Sequence, residues 1–451
     1  MNATDEYNKA LDGLYGMTTS LKATRVPRDQ QSPHIALMKS ALDRLGITQD
    51  ALSRLHVVHV TGTKGKGSTC AFVESILRAS GLRTGLYTSP HLVTERERIR
   101  VCGHAISEHD FAAAFFHVRE RAGDLCGKLG YFPVLTLMAL YVFAEVAHVD
   151  VAVIEVGIGG RTDCTNIIDA PTVCAVASIG IDHTDVLGAT VRDIAWEKAG
   201  IFRRGVPAVC ASNEPADALE ELQLRAAEIG AASLRVAGLD SIPADAALGL
   251  HGDFQRVNAA LAVTVCRTWW DSRKVALDAE SAERYVRLGL SSCRFSGRGQ
   301  TVQADKGLLV HVDGAHTPES LYECGRWLRS TVKGKYTVVF ASKADRNGEV
   351  LVGSLCAGLR SACSSSSTQA VLDKVLLVQM TPAKQYCPLD VLENAWKREA
   401  PEAKVVLVPG GPSEALSMLS GNDSSEKEIL VTGSLYLVGD FLNLLNVDTT
   451  S

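Results

Sequence analysis

An apolar run that stops at a glycine-rich turn and passes straight into a helical pattern admits few folds. Residues 55–62 read LHVVHVTG, and residues 66–80 read KGSTCAFVESILRAS, with Phe72, Val73, Ile76 and Leu77 at helical spacing. The first segment is a strand apolar on both faces, so both faces need a cover. That is the situation of a parallel sheet between layers of helices. The unit recurs: LRTGLYTSP (82–90), VDVAVIEVGIGG (149–160) and TVCAVASIGIDH (172–183) read as strands, while PVLTLMALYVFAEVA (133–147) and TVRDIAWEKAGIF (190–202) read as helices. After a polar stretch with two glycines, CRFSGRGQ (293–300), the rhythm restarts. GLLVHVDGAH (307–316), YTVVFAS (336–342), KVLLVQM (374–380), KVVLVP (404–409) and EILVTGS (428–434) are further strands with helical segments between them. The chain is therefore expected to be an α/β protein of two units, joined near residues 293–300. The serine-rich SACSSSSTQA (361–370) reads as a surface loop without a function.

A length of 451 residues allows about two or three domains, and 46% hydrophobic with 22% charged residues is ordinary for a soluble globular protein. A net charge of −5 gives no reason to expect nucleic acid or an anionic membrane as partner; a polyanionic substrate has to be met by local positive charge. The 12 cysteines lie mostly in apolar runs such as TVCAVAS and AVTVCRTWW, with no C-x-x-C pair. That suits buried thiols in a reducing compartment and leaves zinc without its ligand spacing. The first 25 residues carry early acidic groups and no apolar core segment, so they read as neither signal nor transit peptide. No window reaches the roughly 18 apolar residues of a membrane span. The expected compartment is the cytosol, with a mitochondrial form left open.

The turn after the first strand, VTGTKGKGST (60–69), looks like a phosphate loop yet departs from G-x-x-x-x-G-K-[ST]. Gly67 separates Lys66 from Ser68, and Val60 occupies the place of the first glycine. Backbone N–H groups in such a turn form an anion nest, and the helix N-terminus adds partial positive charge. Lys66 can reach terminal phosphates, and the Ser68 hydroxyl is placed to meet phosphate or its metal. Ligands of an open α/β sheet collect outside the carboxyl ends of its strands. Three other strand ends carry polar groups: Ser89 after LYT, Glu155 within VAVIEVGIGG, and His183 after SIGID. A carboxylate in a buried strand is costly unless paired or metal-bound, so Glu155 is either a metal ligand or half of a structural ion pair. His183 is either a further ligand or a structural histidine. Lys198, in WEKAGIF, falls at the end of a predicted helix, where lysine is ordinarily a solvated cap.

Seven blocks taken together resemble the folylpolyglutamate synthase family, within the Mur-ligase type of ATP-dependent amide ligases. They are HVTGTKGKGSTCAF, GLYTSPHLVTERERIRVCG, VIEVGIGGRTDCTNII, SIGIDHTDVLGATVRDIAWEKAGIF, FQRVNAALA, VDGAHTPES and VTGSLYLVGDF. The resemblance runs from about residue 30 to about residue 442, and the GTKGKGS and DCTNII spellings look more like eukaryotic members than bacterial bifunctional ones. It implies a parallel-sheet, P-loop ATP-binding domain of the Mur-ligase central type at 1–296 and a smaller Rossmann-like glutamate-ligase domain at 297–451. It also implies roles for residues. Gly62, Thr63, Lys64, Gly65, Lys66, Gly67 and Ser68 would hold the ATP phosphates, with Lys66 also catalytic. Ser89, Glu155 and His183 would hold Mg2+. Lys198 matches a lysine that is carbamylated in many relatives, and a carbamate would offer oxygen to a second Mg2+; K+ is a further candidate cofactor. Asn258 in QRVNAA matches an adenine contact, and Arg298 in SGRGQ matches an arginine that reaches the phosphates. Asp313 and His316 in VDGAHT match the second domain's contributions to the nucleotide and the reacting groups. The pattern has departures. Phe295-Ser296 stands where the family has Trp-Pro, and Pro133 stands where relatives carry a charged residue. FASKADRNG (340–348) matches only loosely, which leaves Arg346 without a role.

The activity implied is ATP-dependent addition of L-glutamate to the γ-carboxylate of tetrahydrofolate or its polyglutamates, through an acyl phosphate, by a monomer whose partners are reduced folate, L-glutamate and ATP. The nearest alternative is dihydrofolate synthase, alone or bifunctional, which joins dihydropteroate to the first glutamate by the same chemistry. A P-loop NTPase acting as a switch or transporter subunit would carry an uninterrupted G-K-[ST], and Gly67 counts against it. A non-catalytic folate binder would have lost Glu155, His183 or the loop lysine, and all are present.

Overall fold

In the computed structural model, which describes residues 3–17, 25–30, 32–361, 370–420 and 427–451, the alternating runs become two sheets. Residues 362–369 of the expected serine-rich loop lie outside the described residues. The first sheet has eight strands: β1 (Val58–Thr61), β2 (Thr84–Tyr87), β3 (Ile99–Val101), β4 (His104–Ala105), β5 (Val151–Glu155), β6 (Val173–Val176), β7 (Pro207–Ala211) and β8 (Ser233–Ala237). Their order is β4-β3-β2-β5-β1-β6-β7-β8, parallel from β2 to β8. The second has six strands: β9 (Gln300–Ala304), β10 (Leu308–Val312), β11 (Lys335–Phe340), β12 (Val371–Val378), β13 (Lys404–Val408) and β14 (Lys427–Thr432). Their order is β13-β12-β11-β14-β10-β9, parallel from β13 to β10.

Alternate residues of each strand enter different cores, which is why the runs are apolar throughout rather than every second residue. Val58, Val60, Val151 and Val153 pack with Phe72, Leu261 and Val286 of the helices Lys66–Ala79, Phe254–Ser272 and Ala279–Ser292. Ala152 and Ile154 point the other way, to Phe111, Phe115 and Leu137, and Cys174 and Val176 enter a third core. In the second sheet Val338 and Phe340 enter one core while Val339 and Ala341 enter another.

Both sheets add antiparallel strands at one edge, which the run of parallel units does not announce. β3 and β4 pair through a hairpin at Cys102 and Gly103, and β9 runs against β10. β3 and β4 have only three and two residues, too short to show a period, and β9 exposes alternate residues as an edge strand does. The helix expected at 133–147 runs as Tyr131–Tyr141 and finishes in a wider π turn, Val142–Val146. Every cysteine among the described residues is free, and all but Cys102 are buried. Among the described residues no helix is long and apolar enough to cross a membrane.

The chain passes between the sheets through the segment from Cys293 to Gly299, between the helix Ala279–Ser292 and β9. This connector is pinned to the second unit: the Gly314 N–H donates to the Gly297 carbonyl at 2.9 Å, and the Gly297 N–H donates to the Gln300 side chain at 2.8 Å.

Trp396 is fully buried in the second unit, edge-on to Phe340 with ring centroids 5.9 Å apart, and its indole N–H has no hydrogen-bond partner among the described residues. Trp396→Ala is expected to lower the unfolding free energy by roughly 3–5 kcal/mol, and Trp396→Phe by much less, because no hydrogen bond is lost. Urea melts of the two variants check that order.

Candidate active site

The register of the first sheet sets four strand ends side by side. β1 lies between β5 and β6, with Val60 opposite Glu155 and Thr61 opposite Val176, and β2 flanks β5 with Tyr87 opposite Ile154. The chain leaves β1 toward β2 on one side and later crosses from β5 to β6 on the other. The crevice above β1 is thus the switch point of the sheet.

The loop after β1 turns on Gly65, which caps the helix Lys66–Ala79 at a φ of 81°. A Cβ there would sit 2.1 Å from Asn258 Oδ1, so only glycine fits both the conformation and the space. The N–H groups of Thr63 and Lys64 both donate to the Ser178 carbonyl, at 2.9 and 3.0 Å, which ties the turn to the segment after β6. The first N–H groups of the helix have no acceptor within it, the condition that lets a helix start hold an anion. Lys66 Nζ and Lys198 Nζ donate to the same Gly62 carbonyl, at 3.1 and 2.7 Å. Gln255, fully buried, donates to the Ser68 hydroxyl at 3.3 Å and accepts from Asn258 Nδ2 at 2.9 Å. The Thr69 hydroxyl is buried without a hydrogen-bond partner among the described residues. Phe295, in the connector, lies over the loop at Gly67.

Glu155 closes β5 with 3% of its surface exposed. Its Oε2 accepts the Ser89 N–H at 2.9 Å, and its Oε1 takes no hydrogen bond among the described residues. Burial raises the carboxyl pKa, opposed by Lys66, by the Ser89 N–H and by Arg298. A carboxylate stripped of water, with one oxygen open, beside a serine and a phosphate-type loop, fits a divalent cation. His183 is the exposed cap of the short helix Thr184–Leu187, in the left-handed region at φ 50°, and no hydrogen bond joins it to Ser89 or Glu155. Ser89 and Glu155 are therefore in contact while His183 stands at the rim. Among the described residues no three His, Cys, Asp or Glu side chains are gathered closely enough to hold a metal by themselves.

Lys198 is not a solvated cap. It is 2% exposed, because the last turn of its helix, Val191–Ala199, abuts the loop. Burial, reinforced by the charge of Lys66, holds its amine well below the ordinary lysine range. Glu214 acts electrostatically on it. Glu214 Oε2 accepts the Ile179 N–H at 2.9 Å, its Oε1 is buried without a partner among the described residues, and burial pushes its carboxyl up to about 8. Asp182 takes Lys64 Nζ at 3.1 Å and, from the second unit, Arg346 Nη1 at 3.4 Å. Burial would raise the Asp182 pKa, but Lys64 and Arg346 hold it well below the usual carboxylate range.

From the connector and second unit come Arg298, Asp313 and His316. Asp313 is buried after β10; its Oδ2 accepts the Gly299 N–H at 2.8 Å and its Oδ1 the Ala315 N–H at 2.9 Å. It thereby fixes the backbone next to Arg298. His316 Nδ1 pairs with the Gly314 carbonyl at 2.8 Å, so that nitrogen carries the proton and Nε2 is left as an acceptor. Burial, with Lys64, Arg298 and Arg346 nearby, lowers the His316 pKa to about 4, so the ring is neutral at neutral pH.

A family model described as the C-terminal domain of dihydrofolate synthetase matches residues 300–444. The human mitochondrial folylpolyglutamate synthase is 34% identical over 541 aligned residues, spanning 98% of this chain and 92% of the relative. The chain belongs to the folylpolyglutamate synthase family. A Mycobacterium tuberculosis folylpolyglutamate synthase solved with ADP shares the fold, with a TM-score of 0.80 at 24% identity, covering 99% of this chain and 100% of that one. A bifunctional folylpolyglutamate synthase/dihydrofolate synthase solved with Mn, AMPPNP and L-glutamate gives a TM-score of 0.75 at 27% identity, covering 99% of this chain and 100% of that one.

For a member of the folylpolyglutamate synthase family, the crevice thus gathers Gly62 to Ser68, Ser89, Glu155, Lys198 and Asn258. Arg298 acts electrostatically on Glu155, and Lys64 on His316, from across it. Sequence reasoning passed over Gln255, Asp182 and Glu214 there and left Arg346 without a role. Gln255 lies three positions before Asn258, a helical spacing that could have flagged it, and Asp182 directly precedes His183. Glu214 and Arg346 sit in loops with no periodic signal. Because the Glu214 pKa lies above its unfolded value of 4.5, its contribution to stability is full below about pH 4.5 and is lost as pH rises through about 8. Glu214→Gln is expected to flatten the fall in stability over that window. Urea midpoints measured across the range check it, and parallel curves for parent and variant would contradict it.

Proposed function

We propose that this protein is an ATP-dependent ligase that joins L-glutamate to the γ-carboxylate of tetrahydrofolate or its polyglutamates, working as a cytosolic monomer. In this reading residues 1–296 bind ATP and residues 297–451 complete the site. One observation carries it: a lysine-bearing phosphate loop and a buried carboxylate with an open oxygen, Glu155, end neighbouring strands of one sheet, in a chain of the folylpolyglutamate synthase family. The Mn, AMPPNP and L-glutamate bound to the related bifunctional enzyme are of the kinds this reading calls for. The free, buried cysteines support a reducing compartment.

A carboxylate does not condense with an amine in water at a useful rate, because oxide is a poor leaving group. Moving the γ-phosphoryl group of ATP onto the folate γ-carboxylate makes an acyl phosphate. The amine of L-glutamate then adds to the acyl carbon, the tetrahedral intermediate expels phosphate, and the amine gives up its proton as the amide forms. Lys66 and the free N–H groups at the helix start hold the phosphates and take up charge during transfer. Ser89, Glu155 and His183 would hold Mg2+, which when bound neutralises phosphate charge. Burial and the charge of Lys66 lower the proton affinity of Lys198, which favours the amine form from which a carbamate would be made; the carbamate would then serve a second Mg2+. Lys64 meets the phosphates at the loop's outer side, Asn258 beside Gly65 contacts adenine, and Arg298, steadied through Asp313, reaches the phosphates. His316 offers a neutral acceptor nitrogen to the reacting groups. Closure of the two units around the folate would exclude the water that hydrolyses acyl phosphates.

The match of residues 300–444 to a dihydrofolate synthetase domain favours a second reading, in which dihydropteroate is the acceptor of the first glutamate. Purified protein given MgATP, labelled glutamate and either tetrahydrofolate or dihydropteroate separates the two by product mass. Glutamylated tetrahydrofolate is expected; product from dihydropteroate alone would replace the first reading with the second. Glu155→Ala is expected to abolish ligation while the circular dichroism spectrum and melting temperature stay near the parent's. Near-normal turnover in that variant would remove Glu155 from the metal site.

A further inference from the structure

The loop that carries Ser89 belongs to the first unit by sequence, yet it is gripped from the second. Its far end is organised by Glu97, a buried carboxylate whose Oε2 accepts the Leu92 N–H at 2.8 Å and whose Oε1 accepts the N–H groups of Val93 and Thr94, both at 2.9 Å. One more donor completes this cage: the Thr449 hydroxyl, from the C-terminal segment, meets Glu97 Oε1 at 2.7 Å. Thr449 is itself 3% exposed, and the backbone at 449–450 is held by two bonds. Arg100 Nη2 donates to the Thr449 carbonyl at 2.5 Å, and the Ala105 N–H donates to the next carbonyl, Thr450, at 2.7 Å. The segment therefore leaves the helix Leu435–Leu444, crosses to the first unit and docks at the β3–β4 hairpin. The same helix presses on the loop directly: a Cβ on Gly439 would lie 2.2 Å from the Leu92 carbonyl oxygen, and Leu92 and Val93 pack against the core that holds Val438 and Phe441. At its near end the loop is fixed by the Ser89 N–H on Glu155. Only Pro90 and His91 separate that anchor from the first amide in the Glu97 cage.

We propose that Thr449 is a positioning residue for the metal site: through Glu97 it fixes the frame of residues 92–94 and hence the place of Ser89 against Glu155. The inference rests on the reading of Ser89 and Glu155 as metal ligands. It gives the second unit a grip on the first unit's metal loop at a point away from the crevice, so that correct docking of the two units and correct metal geometry are one condition.

The test uses the full chain and four proteins: parent, Thr449→Val, Thr449→Ser and Ser89→Ala. Valine keeps the shape and removes the donor; serine keeps the donor. Two quantities are read: Mn2+ affinity in the presence of a non-hydrolysable ATP analogue, followed by the electron paramagnetic resonance of free Mn2+, and hydrogen exchange at the amides of Leu92, Val93 and Thr94. Thr449→Val is expected to weaken Mn2+ binding by about 10-fold, in the range of partners that orient metal ligands, and to speed exchange at those three amides. Thr449→Ser restores both. If Ser89→Ala weakens Mn2+ binding and Thr449→Val does not, the positioning role is overturned while the metal reading stands. If Ser89→Ala leaves Mn2+ binding unchanged, the metal reading itself fails, and the proposal with it. A Thr449→Val protein that only melts at lower temperature, with parental Mn2+ affinity, has lost a structural contact and overturns the proposal as well.

Discussion

A buried lysine and a half-buried one share one backbone oxygen, and much of the site follows from that. The Gly62 carbonyl oxygen has two lone pairs, and it accepts from both Lys66 and Lys198. Like charges that close in a desolvated place are costly, and the site meets the cost in two ways. Lys198 sheds proton affinity, and what positive potential remains adds to that of the helix start, where an anion would be held. In the proposed reading, that concentration of positive potential is what a phosphate group would meet.

The sheet supplies the rest by register. A parallel strand can end in a polar group only where no helix covers it, and the carboxyl edge of β1, β2, β5 and β6 is that place. Glu155 is affordable there because its neighbours across β1 are Lys66 and the loop, and because the Ser89 N–H already takes one oxygen. The second unit adds charge from the opposite side through a connector that is hydrogen-bonded to its own sheet. Arg298 is thereby carried on the second unit's framework although it precedes β9.

Much of this was legible in the chain. The strands around 58–61, 151–155 and 173–176 stand out because apolar runs of that length have no other use, and Glu155 stands out because it breaks one. The loop spelling placed Gly62 to Ser68. Lys198 was not legible from pattern alone: the helical period locates it in a last turn but says nothing of which neighbour that turn abuts. Only the family resemblance pointed to it. The β3–β4 hairpin is too short to have a period, and Arg346 and Glu214 act over distances in sequence that no local pattern encodes: Arg346 meets Asp182 across 164 positions. His183 was placed on the right edge, but the left-handed cap that sets it at the rim is a backbone feature that a histidine in a strand-end motif does not reveal.

The sharing of Asp182 between Lys64 and Arg346 has a consequence for discrimination among anions. These two cations are not waiting for a ligand; they are already neutralised by a carboxylate of the protein itself. In the proposed reading, an anion entering the loop would have to win them from Asp182. A weakly charged or monodentate anion would gain little in that exchange, while a polyphosphate, which would also engage the helix start and Lys66, would gain more. The carboxylate would then work as a built-in competitor, giving up some affinity for the right anion in order to disfavour the wrong ones.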